Sequence, residues 1–176
     1  HYMTALVACR RAGRPFVPID PDGSPLRLTQ MLLTSGADVL MHAGPAAGDG
    51  ALPTGMRAID LDAIEKDTVE RDTIEMGGGA AAAPAADDIA FIVFTSGSTG
   101  VAKGAAQTIA SHASSLRAEI EAGAIRAGDR VTLVSRAGVV GGPLFSPTAM
   151  AAGAGLLLAA AGVAPADLLA MMARER

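Results

Sequence analysis

The chain has no tryptophan, one tyrosine and four phenylalanines, so aromatics make up 3% of its 176 residues. A core made from such a sequence rests on aliphatic side chains and alanine, with few ring contacts to organise it. Charge is scarce as well: 18% of the residues are Asp, Glu, Lys or Arg, below the usual quarter. Low charge together with 50% apolar residues excludes a disordered polyelectrolyte. Cys9 is the single cysteine, which excludes a disulfide framework. A net charge of −4 offers no broad basic face, so no nucleic-acid partner is expected. No basic segment followed by an apolar core opens the sequence, so no signal peptide is expected. The lone cysteine points to a reducing, cytoplasmic setting.

What the sequence does have is alanine, 21 glycines and 10 prolines. No charged residue falls between Arg136 and Asp167, a stretch long enough to cross a bilayer. Pro143, Pro147 and Pro165 interrupt it, as do Gly141, Gly142, Gly153 and Gly155. It reads better as a buried helix over 144–152 and a buried strand over 155–160, and no membrane association is expected.

Elsewhere helices and strands alternate. A helix over 4–12 stops at Gly13, and a short strand over 14–19 is bounded by prolines. A turn at 20–25 precedes a helix over 26–35 that carries Leu28, Met31 and Leu32 on one side. Strands follow at 38–41 and 58–61. A low-complexity connector spans 77–86. The pattern then sharpens into a β-favouring run at 89–94 and a helix over 104–123 with Leu116 and Ile120 at i, i+4. A strand at 130–135 and a last helix from Pro165, with Leu168, Leu169, Met171 and Met172 as buried candidates, complete the chain. This rhythm predicts an α/β fold with a largely parallel sheet flanked by helices.

The chemistry is concentrated in Thr95-Ser96-Gly97-Ser98-Thr99-Gly100-Val101-Ala102-Lys103-Gly104. These ten residues hold four hydroxyls, three glycines and one lysine. Open α/β sheets bind ligands beyond a strand's carboxyl end, where this segment lies. Glycines let successive N–H groups converge on an anion, hydroxyls donate to phosphate oxygens, and Lys103 adds a mobile positive charge. The spacing is not that of a Walker A loop, because Val101 and Ala102 separate Gly100 from Lys103 and Gly104 follows the lysine. No serine has the flanking glycines of a G-x-S-x-G elbow.

With its preceding strand, this segment resembles the phosphate-binding motif [YF]-T-S-G-[ST]-T-G-x-P-K-G of the adenylate-forming enzymes. These include acyl-CoA synthetases, luciferases and the adenylation domains of nonribosomal peptide synthetases. Ala102 replaces the motif's proline. Upstream, Arg11-Ala12-Gly13-Arg14-Pro15-Phe16-Val17-Pro18-Ile19-Asp20-Pro21 resembles the K-A-G-x-x-[YF]-V-P-[IL]-D-P segment of the peptide-synthetase members. The resemblance runs over nearly the whole chain and is weakest at 42–86 and after 135.

The resemblance implies ATP-dependent activation of a carboxylic or amino acid as its adenylate, with Mg²⁺. Transfer follows to a thiol acceptor, either carrier-protein phosphopantetheine or CoA. It assigns Thr95, Ser96, Gly97, Ser98, Thr99, Gly100, Lys103 and Gly104 to the β- and γ-phosphates, with Lys103 as the catalytic residue, and gives Asp20 a structural role.

Three departures stand out. Ile109 occupies the place of the family's histidine, with His112 nearby as a displaced equivalent or a partly exposed helix residue. Ser135-Arg136-Ala137-Gly138 lacks the F-D-x-S pattern whose aspartate holds a substrate ammonium. The metal-holding acid, the ribose-binding aspartate and the lid lysine find no counterpart. The expectation is therefore 1–176 as part of an AMP-binding domain, an incomplete N-terminal subdomain from within a longer ligase and inactive alone. A degenerate scaffold or interaction domain is the alternative. The acidic residues at 60–75 read as a solvated face, and Cys9 and the histidines have no metal-ligand spacing.

Overall fold

A computed structural model describes residues 1–20, 23–44, 52–64, 83–96, 102–134, 141–159 and 162–174. The first helix, α1, spans Tyr2–Arg11 and ends ahead of Gly13, whose φ of 63° turns the chain. The proline-bounded strand expected at 14–19 reduces to one parallel bridge between Phe16 and Phe91. Its two hydrogen bonds run from Phe16 N–H to the Ala90 carbonyl and from Ile92 N–H to the Phe16 carbonyl. Pro15 and Pro18 have no N–H to extend it.

Helix α2, Pro25–Ser35, shows its start and stop in its sequence. The Ser24 hydroxyl accepts from Arg27 N–H, Pro25 occupies the first turn, and Gly36 closes the helix at φ 67°. It buries Met31 and Leu32. Strands β1 (Val39–His42) and β2 (Arg57–Asp60) then pair in parallel, with Val39 opposite Arg57.

Strand β3, Ile89–Ser96, pairs antiparallel with β4, Ala102–Thr108. Here the sequence expectation needs correction. The helix expected over 104–123 begins at Ile109, and its first residues belong to a strand. Ala-Lys-Gly-Ala-Ala-Gln-Thr has no β preference of its own, and ladder bonds to β3 override its local propensity. Helix α3, Ile109–Gly123, is capped by the Thr108 hydroxyl, which accepts from Ser111 N–H at 3.1 Å.

Strand β5 (Arg130–Leu133), helix α4 (Gly141–Ala151) and strand β6 (Gly155–Leu158) form a β–α–β unit whose strands pair in parallel. Parallel strands need such a crossover. Helix α5, Pro165–Arg174, closes the described chain. Its four expected core residues are not buried: Leu169 is 65% exposed and Met172 43%, while Leu168 and Met171 are half-buried. Among the described residues the sheets are three two-stranded ladders, two parallel and one antiparallel, flanked by helices. No helix among them is long and apolar enough to cross a membrane. Of the connector expected at 77–86, residues 77–82 lie outside the described residues and 83–86 are neither helix nor strand.

The β3–β4 hairpin is packed on both sides. Phe94 and Ala102 meet Met31 of α2, with Val17, Ile19 and Ile92 around them. On the other side Ala90, Phe91 and Val93 meet Phe16, Ile109 and Leu144. Phe91 is 1% exposed. Its ring stacks on Phe16 at 5.4 Å and meets His112 edge-to-face at 4.9 Å. Burying such a ring stabilises the fold by about 1.5–3 kcal/mol. In a protein with so few aromatics, this cluster fixes the strand that leads to the hydroxyl-rich segment.

Candidate functional site

The site starts from strand alternation. Directly opposed residues of an antiparallel pair share a face, and successive residues swap faces. Ser96 opposes Ala102, and Thr95 opposes Lys103. Ala102 belongs to the face of Phe94 and is buried against it and Met31. Thr95 and Lys103 therefore share the other face, past the Phe91 and Val93 cluster, where both are exposed. The ladder brings a hydroxyl and an ammonium side by side at the mouth of the segment. Among the described residues no carboxylate forms an ion pair with Lys103.

Of the eight residues assigned to phosphate, Thr95, Ser96, Lys103 and Gly104 are described; Gly97, Ser98, Thr99 and Gly100 lie outside the described residues. Gly104 is not at the mouth but inside β4, opposite Phe94. A Cβ there would stand 3.0 Å from Ile92 Cγ2 and 3.4 Å from two carbons of the Phe94 ring. Its place in the motif thus has a packing cause, which the sequence pattern did not convey. Asp20 is described and half-buried; 135–140, with the departure from F-D-x-S, lies outside the described residues.

Ile109, in the place of the family's histidine, opens α3 and packs on the Phe91 cluster. His112 is not a partly exposed helix residue, as one reading held. It is 1% exposed, behind the sheet against Phe91, with Nδ1 3.4 Å from Arg10 Nη2. Burial and the adjacent Arg10 charge push its pKa down. Neither Arg10 nor this contact, 102 residues away in sequence, carried any signal in the sequence.

Lys103 is thus exposed beside Thr95, with no ion-pair partner among the described residues. Among the described residues no cluster of three or more His, Cys, Asp or Glu side chains can hold a metal ion. Asp60 and Asp62 are engaged locally: the Asp60 carboxylate accepts from Asp62 N–H, and that of Asp62 accepts from Gly44 N–H and pairs with His1.

Parallel ladders flanked by helices, with this hairpin between them, match the N-terminal subdomain of adenylate-forming enzymes. The chain belongs to the AMP-binding enzyme family, whose profile matches residues 1–176. In sequence it is 30% identical over 118 residues to nonribosomal peptide synthetase 8 of Aspergillus fumigatus, covering 67% of this chain and 1% of that protein. Solved structures show the same fold. ATP-bound MatB from Rhodopseudomonas palustris matches with a TM-score of 0.78 at 22% identity, over 96% of this chain and 34% of that one. The Klebsiella oxytoca NpsA N-terminal subdomain, in complex with 3-hydroxyanthranilyl-AMSN, matches at 0.71 and 21%, over 95% and 39%. MenE, the o-succinylbenzoate CoA synthetase of Bacillus subtilis in complex with its acyl-adenylate intermediate, matches at 0.75 and 22%, over 98% and 44%. The chain spans less than half of each of these solved chains.

Proposed function

We propose that this chain supplies the phosphate-binding hairpin of an ATP-dependent carboxylate-activating ligase. In that role the loop grips the β- and γ-phosphates of ATP while the carboxylate of a small carboxylic or amino acid attacks the α-phosphorus. An acyl-adenylate forms and pyrophosphate leaves. The acyl group then passes to a thiol, of a carrier-protein phosphopantetheine or of CoA. Lys103 offsets charge on the phosphates, and Thr95, Ser96, Ser98 and Thr99 donate to their oxygens. Gly97 and Gly100 are of the residue type that lets backbone N–H groups converge on an anion. Mg²⁺, when bound, would supply positive charge to the phosphates; among the described residues no cluster of side chains could hold it. The observation that carries this reading is the Thr95–Lys103 pairing, which joins the two ends of the signature segment on one exposed face.

Calorimetric titration of the chain with Mg-tripolyphosphate tests it, because that probe needs no adenine pocket. Binding is expected, weakened about tenfold or more by Lys103→Ala, the loss of a charge-assisted contact worth about 1.5–3 kcal/mol. Arg57→Ala, in a different ladder, should leave it unchanged. Absence of binding, or binding indifferent to Lys103→Ala, would overturn the reading and favour the scaffold alternative.

A further inference from the structure

Histidine is the side chain whose ordinary charge change falls closest to neutrality. The one buried histidine among the described residues, His112, sits where α1, α3, α4 and β3 meet. Arg10 of α1 reaches it with Nη2 at 3.4 Å from Nδ1. A guanidinium has donors and no acceptor. Nδ1 must therefore accept, and the proton of the neutral ring sits on Nε2. Nε2 has no partner in good hydrogen-bond geometry, yet the Pro143 backbone favours its protonated form. Proline has no N–H, so the group concerned is the Pro143 carbonyl. Pro147, four residues on in α4, has no N–H to return to that carbonyl. The ring's third contact is Phe91 of β3, edge-to-face at 82°.

We propose that His112 is an acid-released latch that holds α1 onto α3 and α4 only while its imidazole is neutral. Protonation puts a second N–H on Nδ1, so two donors and two positive charges face each other at the Arg10 contact. The Pro143 carbonyl favours the added charge, but less than burial and Arg10 oppose it. On α1, burial holds the Tyr2 hydroxyl at about 12 and raises the Cys9 thiol, so both stay neutral. The buried residues of α4, Ser146 and Thr148, carry no charge, and neither does Phe91. Glu119, two turns along α3, is engaged by the Thr148 hydroxyl.

Burial first, then Arg10, lowers the native pKa of His112 below its ordinary 6.5. The released ring takes up a proton more readily than the latched one. The latch is complete above about pH 6.5, weakens as pH falls through that value, and stops weakening below the native value.

Amide hydrogen exchange of the intact chain at pH 7.5 and 5.5, corrected for intrinsic rates, tests the latch. Protection across Tyr2–Arg11 should fall at pH 5.5, by up to about tenfold, the limit reached when a ring of ordinary pKa 6.5 ionises only on release. His112→Gln keeps an acceptor and a donor but cannot ionise, and its protection should stay flat. Unchanged protection in the wild type, or an equal fall in His112→Gln, would overturn the latch. If that variant fails to fold, imidazole ¹⁵N shifts of the wild type decide: a neutral ring protonated on Nε2 supports the latch, and one protonated on Nδ1 refutes it. Neither readout involves phosphate, so the outcome is independent of the ligase reading.

Discussion

Replacing Gly104 by alanine adds one methyl group at a point where β4 lies close over β3. That methyl would stand 3.0 Å from Ile92 Cγ2 and 3.4 Å from Cε1 and Cζ of Phe94. The ring edge is at ordinary contact distance. The isoleucine methyl is not, and a β-branched side chain has little χ1 freedom with which to withdraw it. Overpacking of this kind costs about 1–3 kcal/mol. Gly104 lies outside the left-handed region, so alanine also removes conformational freedom from the unfolded chain, a gain of about 0.4–1 kcal/mol. The net loss should be about 0.5–2 kcal/mol, or roughly 1–8 °C in Tm for a protein of this size.

Urea and thermal melts of the wild type, Gly104→Ala, Ile92→Ala and the double variant measure it. Ile92→Ala removes the opposing methyl, so the double variant should lose about 1 kcal/mol less than the two single losses summed. Tripolyphosphate affinity well below the melting range should be unchanged. A Gly104→Ala protein as stable as the wild type but impaired in phosphate binding would refute the packing account and return this glycine to the binding site.

Two further substitutions probe the scaffold. Ala124 ends α3 at φ 47°, the one non-glycine residue with positive φ among the described residues. Ala124→Gly removes left-handed strain of about 1–2 kcal/mol against a smaller unfolded-state entropy loss, so it should raise Tm and the urea midpoint by a net ~0.5–1 kcal/mol. Phe91→Ala removes a 1% exposed ring with two ring partners. It should cost about 3–5 kcal/mol in the same melts, and a loss below about 1 kcal/mol would show that the cluster does not organise the hairpin.

Much of this was legible where local chemistry decides. Ser24, Pro25 and Gly36 mark α2, and Gly13 marks the end of α1, because caps and left-handed stops act within one turn. β4 is not legible in the sequence because its seven residues owe their strand to β3, not to their own preference. The signal that could have placed the helix start correctly was Thr108, a capping residue just before Ile109. The strand expected at 14–19 failed because its prolines remove donors. At the site, the hydroxyls and Lys103 were readable as a phosphate motif, while the packing role of Gly104 depends on how closely Ile92 and Phe94 approach. The burial of His112 depends on Arg10, far away in sequence. α5 reads as amphipathic, and its periodicity is silent on what lies against Leu169 and Met172.

Ala102 gives the hairpin a means of checking its own alignment. Because faces alternate, a slip of one residue along β4 would exchange Ala102 and Lys103. The ammonium would enter the space between Met31 and Phe94, where an isolated charge costs several kcal/mol to desolvate, and the small apolar side chain would point to water. The misaligned hairpin is thus rejected in the core, some distance from where its error would matter. In this sense the cluster around Met31 and Phe94 selects the one alignment in which Lys103 stays on the exposed face.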